Sequence, residues 1–194
     1  MAELVADVSS WNPDTAAFFQ SLKKKAGAKA VIVKLSEGTT YRNPKAPAQI
    51  KNAWAAGMHV HGYHYARFQT VDQAKAEARH FAATAKLRGL NHTSVMALDL
   101  EDASIKGDTT ARVAAFITTL KQAGYPKVDL YTSASWIWYH RVNLAKLVKL
   151  NLWIARYQAD QPGVDSVGTW QFTSNFHGLK VDMSYDFFGY YSKV

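Results

Sequence analysis

The 194-residue chain contains no cysteine, only five prolines, and no apolar stretch approaching the roughly 18 residues that a membrane helix needs. Without cysteine there can be no disulfide, no thiolate metal site and no cysteine nucleophile. Without a long apolar run we expect no membrane insertion, and Met1 through Asp7 shows no basic-then-apolar leader, so we expect no export signal. Acid is scarce too: 15 Asp and Glu stand against 23 Lys and Arg, a formal net charge of +8. That balance favours a polyanionic partner, either nucleic acid or an anionic bacterial wall. No recognition helix, zinc finger or aromatic-basic motif accompanies the charge, and the longest basic run, Lys23-Lys24-Lys25, sits before Gly27, where cations suit the last turn of a helix. We therefore expect no nucleic-acid partner. Gly-x-Ser-x-Gly and Walker loops are also missing, which removes the simplest serine-hydrolase and nucleotide-binding readings.

What is present is a composition suited to one globular domain over residues 1–194, 48% hydrophobic and 13% aromatic. Strand-like segments at Leu4–Ser9, Ala30–Ser36, Met58–Tyr65, Ser94–Glu101 and Lys127–Thr132 alternate with helical patterns near 13–26, 44–56, 71–88 and 108–123. Asn12-Pro13 and Asp108-Thr109 read as helix starts, and Gly27, Gly57, Gly89 and Gly124 stand where a helix needs a left-handed stop residue. After a shorter helical piece near 143–150 come three strands without long helices: Asn151–Tyr157, Thr169–Thr173 and Val181–Phe188. The expectation is an α/β fold, a TIM-like β/α-barrel of five βα units followed by three strands, with its chemistry at the strand C-termini.

The most pointed local feature is Val95-Met96-Ala97-Leu98-Asp99-Leu100-Glu101-Asp102, an apolar strand ending in acid. Alternation places Asp99 and Glu101 on one face, their Cα atoms roughly 6.5 to 7 Å apart. Such a pair suits glycoside hydrolysis, in which one group protonates the leaving oxygen and another negative charge stabilises the cationic sugar. Alone, the pair also fits ordinary strand-end acids. Asp7 at the end of the first strand and Asp182 in the last strand region strengthen the catalytic reading, because a fold seeking only stability would not gather like charges at one barrel mouth. Asp102 faces the other way. Asp186 rivals Asp182, since both lie on the same strand face.

Asp7-Val8-Ser9-Ser10-Trp11-Asn12-Pro13, then Ile32-Val33-Lys34-Leu35-Ser36-Glu37-Gly38 and Tyr41-Arg42-Asn43, resembles the N-terminal signature of glycoside hydrolase family 25. Ala97-Leu98-Asp99-Leu100-Glu101, Leu152 to Tyr157, Trp170-Gln171-Phe172 and Val181-Asp182 resemble its later motifs in the family's order. The resemblance implies a lysozyme of the phage-endolysin type, an N-acetylmuramidase acting on peptidoglycan without a cofactor. By the same resemblance Glu101 is the general acid, Asp99 orients or stabilises the substrate's N-acetyl group or serves as nucleophile, and Asp7 and Asp182 balance charge. The resemblance also implies synthesis inside a host cell and action on the wall outside the membrane. One departure is Ser184, where the pattern leads us to expect an amide such as Asn. A non-catalytic saccharide-binding barrel stays open as the alternative, and a monomer is the default.

Around the acids, Tyr63, Tyr65, Tyr131, Trp153 and Gln171 lie in or at the ends of strands and are candidates to bind sugar by ring stacking and hydrogen bonds. Glu37, at the end of the second strand, can join the acid cluster, bind a sugar hydroxyl, or pair with Lys34 or Arg67 and order a loop. His59, His61 and His64 do not share a face, so no metal site is expected.

Overall fold

The computed structural model describes residues 2–193. Strand β1 (Glu3–Val8) leads through α1 (Ala16–Lys24), β2 (Ala30–Glu37), a short β3 (Tyr41–Arg42) and α2 (Ala46–Ala55) to β4 (His59–Tyr65). Next come α3 (Val71–Leu87), β5 (Met96–Asp99), α4 (Thr110–Gln122), β6 (Val128–Ser133) and α5 (Ala134–Trp138), then β7 (Asn151–Ala155), β8 (Thr169–Thr173) and β9 (Asp182–Asp186). Strand β1 pairs with β2 on one side and β9 on the other, closing eight strands into a barrel, while β3 is an antiparallel flap on β2. Closure leaves the barrel strands without free edges. Among the described residues no helix is long and apolar enough to cross a membrane.

The five βα units are present, but the fifth helix is the short α5, and the helical piece expected near 143–150 is a 3-10 turn at Leu144–Lys146. Gly27, Gly57, Gly89 and Gly124 all take positive φ, between 72° and 92°, and end α1 to α4 as expected. The start of α1 differs. Thr15, not Asn12, caps the helix, while the Asn12 side chain accepts from the Ser9 amide at 2.8 Å and braces the loop after β1.

The last strand runs against its neighbours. The connection from β8, residues 174–181, is too short for the crossover that a parallel strand requires, so β9 returns antiparallel to both β8 and β1. Its first residue, Asp182, lies in register with Asp7 at the mouth, and its last, Asp186, lies opposite Glu3 at the far end. Strand direction therefore decides between two acids that share a face.

Two apolar layers form. Outside the barrel, Phe19 and Leu22 of α1, Ile50 of α2, Phe81 of α3 and Phe116 of α4 cover the sheet. Space there is tight: a Cβ on Gly62 would fall 2.6 Å from the Leu35 Cδ1. Inside, Val5, Ile32, Val95, Ala97, Tyr131 and Trp153 pack around Tyr191, which comes from beyond β9. Asp186 creates that plug. Its carboxylate accepts from the amides of Gly189, Tyr190, Tyr191 and Ser192 at 2.9 to 3.0 Å, curling the segment so that Tyr191 enters the barrel floor fully buried. The Tyr191 hydroxyl donates to Asp129 Oδ2. His61 accepts from the Val95 amide at Nδ1 and so donates through Nε2 to the Tyr191 carbonyl, each at 2.9 Å. Burial holds its pKa down to about 4, so the ring is neutral at pH 7.

Candidate active site

At the opposite end, where the parallel strands finish, is a pocket of about 210 Å³. All four expected carboxylates line it: Asp7, Asp99, Glu101 and Asp182. So do Tyr63, Tyr131, Trp153 and Gln171, and so does Tyr157, which was not among the expected site residues. Tyr157 follows Trp153 and Ala155 at two-residue spacing, so strand alternation carried past the end of β7 would have marked it.

Asp7 and Asp182 face each other across the β1–β9 ladder. Asp99 ends β5 between Tyr65 of β4 and Tyr131 of β6. The strand stops at Asp99, two residues short of the expected Glu101. The Leu100 carbonyl is held by the Thr132 hydroxyl at 2.7 Å and Asp102 begins a turn, with the Ile105 amide on its carbonyl at 3.0 Å. Glu101 thus stands on the departing loop, exposed, yet still lines the pocket.

The supporting groups form one hydrogen-bonded frame. Gln171, 2% exposed, accepts from the Tyr131 and Tyr157 hydroxyls, each at 2.9 Å, and donates to Asp7 Oδ2 at 2.8 Å. The amide is a strut joining β1, β6 and β8 to the segment after β7. The same Tyr157 proton is shared, at the longer distance of 3.4 Å, with Asp182 Oδ1. Trp153 is a wall more than an open stacking face: it is 2% exposed, with its ring 4.6 Å from that of Tyr131. Its indole N–H donates to Ser184 at 2.9 Å, so the residue that departs from the family pattern supports Trp153 and leaves Asp182 to Tyr157.

Glu37 and Tyr65 lie outside the pocket lining. Glu37 accepts from Lys34 at 2.7 Å and from Arg67 at 2.7 and 2.9 Å, and Arg67 also reaches Asp102 at 2.6 Å. The Tyr65 ring lies between these cations, 4.7 Å from Lys34 Nζ and 4.9 Å from the Arg67 guanidinium carbon. These residues form an ion-paired rim that orders the loops beside the mouth. The histidines part ways: His61 is in the barrel floor, His64 is buried between Ser36 (2.9 Å) and Glu77 (3.0 Å), and His59 is exposed. Among the described residues no group of three or more His, Asp or Glu is placed to hold a metal ion.

Burial raises the pKa of every pocket acid, and for three of them a neighbouring carboxylate adds to it. For Asp7 the causes are burial and then the charge of Asp182, opposed by the Gln171 bond. For Asp99 they are burial and then Glu101, for Glu101 burial and then Asp182, and for Asp182 burial. A site this small disfavours holding four negative charges at once. Asp99 is 5% exposed, and its Oδ1 has no hydrogen-bond partner. A buried carboxylate oxygen without a donor is costly to keep charged, in line with the raised pKa of Asp99.

Residues 6–179 match the family described as glycosyl hydrolases family 25. The chain belongs to this family. Asp182 lies beyond the matched segment and takes its place from the register with Asp7. The chain is similar to the lysozyme of Streptococcus phage Cp-1, 29% identical over 188 residues that cover 89% of this chain and 51% of that protein. It is also similar to the lysozyme of Lactococcus phage mv1, 30% identical over 78% of this chain and 77% of that protein. The solved catalytic domain of endolysin ply40, from bacteriophage P40 of Listeria monocytogenes, superposes with a TM-score of 0.84 at 27% identity, covering 100% of this chain and 97% of that one. The chain spans about half the length of the Streptococcus phage lysozymes it matches.

Proposed function

We propose that this family 25 barrel is a lysozyme of the N-acetylmuramidase class, which hydrolyses the β-1,4 bond between N-acetylmuramic acid and N-acetylglucosamine in bacterial peptidoglycan. The observation that carries the reading is the convergence of four carboxylates of raised pKa, from β1, the end of β5 and the loop after it, and β9, on one small pocket. The lysozyme names of its phage relatives support it. One barrel supplies every acid, so the catalytic unit is a single chain, and it works outside the membrane, where its substrate lies.

In this reading Glu101, the most open of the acids, gives its proton to the glycosidic oxygen as the bond from that oxygen to the anomeric carbon breaks. The acetamido oxygen of the same sugar attacks the anomeric carbon and closes a ring, while Asp99, in the pocket wall, orients the acetamido group and stabilises the charge that develops there. Water then adds to that carbon, its proton passing to the Glu101 carboxylate, and the ring reopens. Charge on Asp182, the more open partner of Asp7, favours both the cationic sugar and a protonated Glu101. Gln171 and Tyr157 hold those two carboxylates in place.

Two measurements test this reading. Purified peptidoglycan digested with the protein, reduced with borohydride and analysed by mass spectrometry is expected to carry new reducing ends on N-acetylmuramic acid. Reducing ends confined to N-acetylglucosamine, or cleaved peptides on intact glycan, would overturn it. The second is a pH profile. The Asp182 charge helps raise the Glu101 pKa, so Asp182→Asn lowers that pKa, and the alkaline limb of kcat/KM moves to lower pH. An unmoved limb would remove Asp182 from that role.

A further inference from the structure

The far end of the barrel carries a second and larger groove, about 710 Å³, enclosed by the starts of β6, β7 and β8 and the segment after β9. Lys127, Lys149 and Lys193 stand around it, and no carboxylate lines it among the described residues. Some lysines of this protein are tied down: Lys23 and Lys45 reach backbone carbonyls at 2.9 and 3.0 Å, and Lys34 pairs with Glu37 at 2.7 Å. Among the described residues none of the three groove ammonium groups makes an ion pair. Three like charges around one depression repel each other, and no carboxylate among its lining residues offsets them.

The groove is built as well as charged. Gly189 turns at φ +79°, and the carbon stem of Lys193 lies where a side chain there would sit, its Cδ 2.5 Å from the position of a Cβ. The turn thus seats Lys193 along the groove. Tyr190 lines it with its hydroxyl held by the Val128 carbonyl at 3.2 Å, and Phe188, 76% exposed, stands beside it. Cations flanking two aromatic rings suit a flexible chain that carries a negative charge at intervals and hydroxylated carbon between.

We propose that this groove binds a polyol-phosphate polymer of the bacterial wall, and so holds the barrel to the wall while the acid pocket at the opposite end stays free for glycan. The proposal rests on the reading that the protein works on peptidoglycan, because that reading places it among such polymers. Charge complementarity sets the ligand class: the phosphodiesters meet Lys127, Lys149 and Lys193, and the polyol lies against Phe188 and Tyr190. A duplex nucleic acid needs a broad basic face following its grooves, and this bounded depression takes only a short run of a single chain.

The test compares the parent protein with the triple variant K127Q/K149Q/K193Q, using purified poly(glycerol phosphate), intact walls, and walls stripped of phosphodiester polymer by hydrofluoric acid. The parent is expected to bind the polymer and intact walls with affinity falling as salt rises, with a log–log slope of about −2 if three phosphates are engaged as on a single-stranded polyanion. The variant is expected to bind at least about tenfold more weakly, with a shallower slope, while cleaving soluble glycan fragments at the parental rate. Equal polymer binding by parent and variant would overturn the site. So would parental binding to stripped walls as tight as to intact ones, or equal competition by single-stranded DNA of matched charge. Polymer binding by the parent alone, with no cleavage of soluble fragments by either protein, would count against the muramidase reading and leave the groove supported.

Discussion

Glu101→Gln is expected to lower the turnover of purified peptidoglycan by about 10²- to 10⁴-fold, the range attached to a positioned general acid. The amide keeps the shape of the side chain and cannot release a proton to the leaving oxygen. Replacement elsewhere in the cluster does not compensate. Asp99 and Asp7 are buried, and Gln171 holds Asp7 at 2.8 Å, so neither can move to the position that Glu101 takes on its loop. The variant should fold normally, because Glu101 lies beyond the end of β5 and is exposed. Its thermal midpoint and its binding of glycan oligosaccharides are therefore expected to match the parent. The discriminating measurement is the rate of formation of new reducing ends. Turnover within a few-fold of the parent, from a variant shown to carry Gln at 101, would remove the acid assignment and direct attention to Asp182, the other partly open carboxylate.

Much of this architecture was legible in the sequence because its signals are local. The glycines after α1 to α4 mark left-handed stops, the apolar alternation marks the parallel strands, and parity alone places Asp99 and Glu101 on one face. The direction of β9 was not read, although the short 174–181 connection encodes it; parity treats Asp182 and Asp186 alike, and only an antiparallel return sends one to the mouth and the other to the floor. Glu37 and Tyr65 illustrate the opposite limit. Tyr65 shares β4 with the pocket residue Tyr63 and Glu37 pairs with Tyr65 at the end of β2, but Arg67, 30 residues from Glu37 in sequence, draws that acid into the rim, and no periodicity reports such a partner. Gln171 is a candidate sugar contact from its place in the last strands, and it does line the pocket. Its burial between two tyrosines and Asp7 makes it part of the frame, a role set by four segments meeting inside a closed barrel.

Tyr191→Ala is expected to destabilise the protein by about 3–5 kcal/mol, the cost of removing a large aromatic side chain from a packed core. Tyr191 is fully buried, its ring 5.9 Å from that of Trp153 and 5.2 Å from that of His61, so truncation opens the floor beneath the wall of the acid pocket. Tyr191→Phe separates the hydroxyl from the ring. Burial raises the Asp129 pKa to about 6, and the Tyr191 and Asn151 bonds oppose that rise. A carboxyl whose folded pKa lies above its unfolded value stabilises the fold at low pH and loses that contribution as pH rises through about 6. At pH 7 Asp129 is ionised and the Tyr191 hydroxyl supports a buried charge, a bond whose loss costs roughly 1.5–3 kcal/mol; at pH 5 the carboxyl is protonated and the same bond contributes less. The Phe variant should therefore lose more stability at pH 7 than at pH 5, as read from urea unfolding at the two pH values. His61 runs the other way: with a folded pKa of about 4, it costs stability as pH falls from roughly 6.5 toward 4, which offsets the gain from Asp129 in the parent. A Phe variant whose loss is the same at both pH values would separate Tyr191 from the ionisation of Asp129, and an Ala variant within about 1 kcal/mol of the parent would show that the floor closes without its plug.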